Sequence, residues 1–173
     1  MKSQFCIFGM LLLSTIAIAT GCGGPNTVED PKILAQREEF MLTAAPKGML
    51  AISKAKEAAA EKDEIVIGGR IKAGEHEPWE EGRAAFLVTD ITLDAHKHHH
   101  KDGQECAFCK GASDPLESMA TLRFLGEDGK VLPIDARKLL GVKENQVVVV
   151  KGKGEVDDLG QLTVSVNGIY LRR

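Results

Sequence analysis

Four of the chain's five histidines, His96, His98, His99 and His100, fall between positions 96 and 109, together with two of its four cysteines, Cys106 and Cys109. The residue types point to metal chemistry. A Cys-x-x-Cys turn can aim two thiolates at one ion, and two imidazoles complete the tetrahedral N/S set that Zn²⁺ takes at about 2.0 to 2.3 Å. In an extended segment His98 and His100 share a side. In a helical turn His96 pairs with His99 or His100 instead. The same donors suit copper. The carboxylates of Asp102 and Glu105 are harder ligands, better suited to accepting hydrogen bonds from the imidazole N–H groups. Two other chemistries compete. Cys106 and Cys109 can form a disulfide that staples a long loop, leaving the histidines as a solvated run that titrates near pH ~6.5. Thioredoxin-like exchange needs the first cysteine at a helix N-terminus, whereas Lys110-Gly111 follows the pair and no βαβ unit surrounds it. Covalent haem attachment wants His after the second cysteine, and Lys110 stands there.

Which chemistry prevails depends on the compartment, and the N-terminus speaks to that. Lys2 supplies the positive start. An apolar run from Phe5 to Ala19 follows, shorter than the roughly 20 residues of a membrane-spanning helix. The small residues Ala19-Thr20-Gly21 then precede Cys22. This order resembles the lipobox signal of bacterial lipoproteins, although Ala19 stands where that family prefers Leu. The resemblance implies cleavage after residue 21, diacylglycerol on the Cys22 thiol, and a mature chain anchored in the cell envelope. Two or more acyl chains hold a membrane firmly where one does not. Gly23, rather than Asp, after the lipidated cysteine implies the outer membrane in some lineages. Plain secretion, with a cut after Ala17-Ile18-Ala19, is the rival reading. Residues 1–21 are thus expected to be the signal and 22–27, with Gly23-Gly24-Pro25-Asn26-Thr27, a flexible tether. Cys6 leaves with the signal and Cys22 is consumed, so Cys106 and Cys109 alone remain as thiols in an oxidising space.

The elements that must carry the His/Cys run begin with a helical segment, 28–62. Asp30-Pro31 caps a helix whose Ile33, Leu34, Arg37, Phe40 and Met41 recur at helical spacing. Pro46 and Gly48 end it, and a short Ala/Lys/Glu-rich helix spans 53–61. From Asp63 the texture turns to strands: 64–71, with Gly68-Gly69 as an expected bulge or bend, then 84–90 and 119–125. Lys130 to Ile134 reads as a continuation of the sheet. A short helix at 135–140, closed by Gly141, leads to strands at 146–156 and from Leu162 through a kink at Gly168. The pattern alternates cleanly, with Leu162, Val164 and Val166 facing one way and Thr163, Ser165 and Asn167 the other.

Three strands, a short helix and two strands is the order of the OB-fold. Glu64-Ile-Val-Ile-Gly-Gly-Arg70-Ile71, Pro78-Trp79 to Phe86, and Leu139-Leu-Gly-Val142 running into Val147 to Gly154 resemble small OB-fold domains of exported bacterial proteins. The resemblance covers 63–173, with 94–111 as a His/Cys-rich insertion between strands two and three. The expectation is a mainly β, five-stranded OB-like barrel with a helix between strands three and four. An antiparallel sandwich is the alternative. Trp79 and His76, in the acidic loop between strands one and two, could line a ligand groove, because OB-folds bind near that loop. The favoured reading of Trp79 is a cap on the barrel core. Arg70, Arg83 and Arg123 read as separate surface residues.

Net charge narrows the partners. The chain carries −3, and losing Lys2 takes it to −4, a poor match for nucleic-acid phosphates. The sequence holds no phosphate loop, no Ser/His/Asp set and no paired carboxylates in a motif, so no enzymatic activity is expected. The leading reading is a lipid-anchored binding protein whose His/Cys run holds Zn or Cu. The alternatives are an OB module for an oligosaccharide, an oligonucleotide or an envelope protein, with Cys106–Cys109 a structural disulfide, and a thiol redox protein.

Overall fold

The computed structural model describes residues 30–91 and 115–172. In order these form α1 (Pro31–Phe40), α2 (Ile52–Ala59), β1 (Ile65–Ile71), β2 (Ala85–Asp90), a 3-10 turn (Pro115–Ser118), β3 (Met119–Phe124), α3 (Ala136–Leu140), β4 (Val147–Val156) and β5 (Leu162–Leu171). The strands close into a barrel in the order β1-β2-β3-β5-β4, with β4 returning to β1. Every pairing is antiparallel except β3 with β5, which run parallel with Leu122 opposite Val164. This is the OB-like arrangement that the strand–helix order implies, with α3 between the third and fourth strands as expected.

Alternation explains the closure. Phe86 and Val88 on β2, Ala120, Leu122 and Phe124 on β3, and Leu162, Val164 and Val166 on β5 all turn inward and are buried. Four aromatic rings run in series through this interior. Trp79 lies 5.6 Å from Phe86, Phe86 stacks at 5.8 Å on Phe124, and Phe124 meets Phe40 of α1 edge-on at 5.1 Å. Such pairs add about 0.5–1.5 kcal/mol beyond the area they bury.

The helical segment contributes to that same core. Phe40 of α1 and Ile52 and Ala55 of α2 are buried with the barrel residues. Between the two helices, residues 41–50 form a strap along strand edges that the barrel leaves open. β3 pairs with β5 only as far as Val166, and beyond it Leu42 N donates to Ile169 O at 2.8 Å. β2 pairs with β1 only from Gly69 onward, and before it Leu50 N donates to Val66 O at 2.8 Å. The strap therefore supplies partners to backbone groups that would otherwise be left unpaired.

Two expectations change in the structure. β1 runs unbroken through Gly68 and Gly69, which pair with Val149 and Val148. Close packing accounts for these glycines: a Cβ on Gly69 would fall 2.6 Å from Val88 Cβ, and one on Gly68 would fall 2.8 Å from Ile91 Cδ1. The register shift lies instead in the β4–β5 ladder, where Lys151 pairs with Gly168 and Gly152 with Val166, so that Asn167 has no partner across the ladder. Lys130 to Ile134 does not form a further strand. It makes one isolated bridge, Leu125 to Val131, and Leu132 N donates to Phe124 O.

Local capping is as the residue types dictate. Asp30 accepts from Lys32 N at 2.9 Å beside Pro31, and Asp135 accepts from Arg137 N at 2.9 Å. Gly141 closes α3 at φ 69°, its N–H donating to Arg137 O. Helix α2 begins at Ile52, after Ala51, which carries no capping side chain. Its cap comes from β2: Asp90 Oδ2 accepts from Ile52 N at 2.6 Å.

Candidate functional site

Cys22, the expected lipidation site, and the expected metal ligands His96, His98, His99, His100, Cys106 and Cys109 lie outside the described residues. The places where the insertion joins the barrel are described. The chain leaves at the end of β2 and re-enters through the 3-10 turn into β3, and β2 and β3 are antiparallel neighbours with Thr89 opposite Met119. The two roots are therefore side by side. The β4–β5 turn lies at the same end of the barrel, since Ala120 at the start of β3 pairs with Leu162 at the start of β5. Helix α2 packs against the 3-10 turn at this end.

Asp90 is the notable residue at the root. It is 6% exposed and the one buried polar or charged residue among the described residues, and its carboxylate holds the first N–H of α2. A carboxylate at a helix N-terminus is stabilised by the unpaired N–H groups there and by the helix dipole. It follows Phe86 and Val88 at inward-facing spacing. An acid in phase with a buried face was the sequence signal for it.

Trp79 and His76 sit at the opposite end of β2. Trp79 is half-buried, between Phe86 and the Arg137 guanidinium, which stands 5.5 Å from the ring centroid. His76 is exposed and its backbone N donates to Ala73 O at 3.1 Å. Arg137 is also held by Asp135, with Nε at 2.9 Å from Oδ1 and Nη2 at 2.6 Å from Oδ2. The hydrogen bond from Arg137 holds the Asp135 carboxyl below its ordinary value of 3.8, and the same pairing raises Arg137. The carboxylates of Glu77 and Glu81 add to the field on Arg137. No sequence signal linked position 137 to Trp79, because the contact joins two segments through the fold.

The three scattered arginines do not converge. Arg70 donates to Asn145 O at 2.9 Å, Arg83 pairs with Glu80, and Arg123 is exposed on β3. The outward positions of β2 and β3, Leu87, Thr89, Thr121 and Arg123, include no ring on which a base could stack. Among the described residues no three His, Cys, Asp or Glu come together in a way that could hold a metal. No helix among them is long and apolar enough to cross a membrane. Compared with known protein families and with characterised proteins, the chain matches none.

Proposed function

We propose that the protein is a non-enzymatic lipoprotein of the cell envelope, anchored through Cys22, whose OB-like barrel is a rigid base for a transition-metal site in the His/Cys insertion. The observation that carries this reading is the density of soft and borderline donors between 96 and 109: His96, His98, His99, His100, Cys106 and Cys109. Two thiolates and two imidazoles make a complete set for zinc, and copper competes for the same donors. Two features of the fold support it. The barrel interior is filled by its own apolar side chains, so a ligand has to bind on the outside or in a loop. The insertion springs from adjacent strands whose end is braced by Asp90 and α2, and a metal site on a rigid base loses little entropy when it forms.

The anchor makes the membrane the first partner. An envelope protein or glycan fits the chain's negative charge and the ring-free outward positions of β2 and β3 better than nucleic acid does. The decisive experiment is elemental analysis of the full chain purified anaerobically in detergent. One zinc or copper per chain is expected, lost when Cys106 and Cys109 are both changed to Ser. A metal-free protein with a Cys106–Cys109 disulfide would replace this reading with that of an OB-like binding module stapled by the pair. Mass spectrometry of the mature N-terminus tests the anchor separately: acylated Cys22 is expected, and an unmodified terminus would remove the membrane from the proposal.

A further inference from the structure

We propose that Asn167 is a modification site, at which the Asn167-Gly168 step deamidates in the folded protein and thereby loosens the strap. Asparagine followed by glycine is the dipeptide most open to this reaction, because glycine puts no side chain in the way of its own nitrogen. Of the chain's three asparagines, Asn26, Asn145 and Asn167, only Asn167 precedes Gly. The fold imposes the pairing. Gly168 is buried beneath the strap, and a Cβ there would fall 2.9 Å from Lys151 Cε and 3.0 Å from Leu42 Cδ1. Asn167 is the bulge residue, skipped by the β4–β5 ladder, with an exposed side chain. Its Nδ2 donates to Glu64 Oε2 at 2.8 Å.

The chemistry needs only water. The Gly168 nitrogen loses its proton and attacks Asn167 Cγ. The Cγ–Nδ2 bond breaks and ammonia leaves, giving a five-membered succinimide. Water then opens the ring to aspartate or isoaspartate. Aspartate replaces the Nδ2 donor with a carboxylate oxygen facing the Glu64 carboxylate, exchanging a hydrogen bond for like-charge repulsion, whereas isoaspartate removes the donor by taking Cγ into the main chain and leaves its free carboxylate on Cα. Isoaspartate also adds one carbon to the main chain immediately before Gly168. The next residue, Ile169, carries the carbonyl that holds Leu42 N, so the change falls on the seat of the strap.

The test is timed incubation of the full-length folded protein at mildly alkaline pH, followed by tryptic mass mapping. The peptide from Gly154 to Arg172 contains Asn167 as its one asparagine. It is expected to exchange NH for O in mass several-fold faster than the peptide carrying Asn145. Isomerisation at Asp128-Gly129 changes no mass and does not interfere. N167D is expected to speed hydrogen exchange at the Leu42 amide while leaving the amides of β3 protected. Two results would overturn the proposal: conversion in denaturant but none in the folded chain, or Asn145 converting as fast.

Discussion

At the scale of single residues, two aspartates act on helices from different distances. Asp135 caps its own helix and grips Arg137, which in turn covers Trp79. Because the Arg137 hydrogen bond depresses the Asp135 carboxyl in the folded state, the contribution is present above the unfolded value and is lost as pH falls through the lower folded one. Urea midpoints measured from about pH 5 downward should therefore fall less steeply for Asp135→Asn than for the wild-type chain. Identical acid limbs would show that the pair contributes nothing. Asp90 caps α2 from another strand, and its burial raises the stakes. Asp90→Ala leaves the Ile52 N–H without that acceptor and is expected to cost about 1–2 kcal/mol. Asp90→Asn keeps an acceptor and should recover much of that loss. If chemical denaturation finds the two variants equally destabilised, the cap is not the reason the acid is there.

At the scale of elements, β1 is held between β4 and β2 with the strap laid over its open end, and its two glycines face different obstacles. At Gly69 the obstacle is the β-branched Val88, whose Cβ is fixed by the backbone of β2. At Gly68 it is the far ends of the Met49 and Ile91 side chains, which can swing aside. Alanine is also favoured over glycine within a strand by about 0.5–1 kcal/mol. Gly68→Ala is thus expected to be nearly neutral, and Gly69→Ala to destabilise by roughly 1–3 kcal/mol through overpacking. Thermal or urea unfolding of the two variants separates these outcomes, and the reverse order would refute the packing argument.

At the scale of the whole molecule, the barrel and the N-terminal segment share one core. Phe40 ends the aromatic series at one side, while Ile52 and Ala55 enter the core from α2. Phe40→Ala is expected to cost about 3–5 kcal/mol, as for other buried rings, a large part of the stability of a domain this size. A fragment beginning at Asp63 loses these side chains and both backbone bonds of the strap. It is expected to lack a cooperative unfolding transition by circular dichroism. A fragment that unfolds cooperatively with the wild-type midpoint would make the segment a mere spacer.

Much of this was legible in the chain. Periodicity of two for β2, β3 and β5, the Asp cap before α1, and Gly141 after α3 are local signals, and the structure follows them because each depends on a residue and its near neighbours. The candidate ligands between 96 and 109 were legible in the same way, as residue types at close spacing. What tertiary structure alone decided is non-local: closure of β4 on β1, the parallel β3–β5 pair, the strap across two open edges, the bulge at Asn167 and the reach of Asp90 to α2. A strand's alternation fixes which face is buried but not which neighbour it meets. Gly68-Gly69 reads as a bend because a sequence reveals that a side chain is missing, whereas only packing reveals what occupies its place.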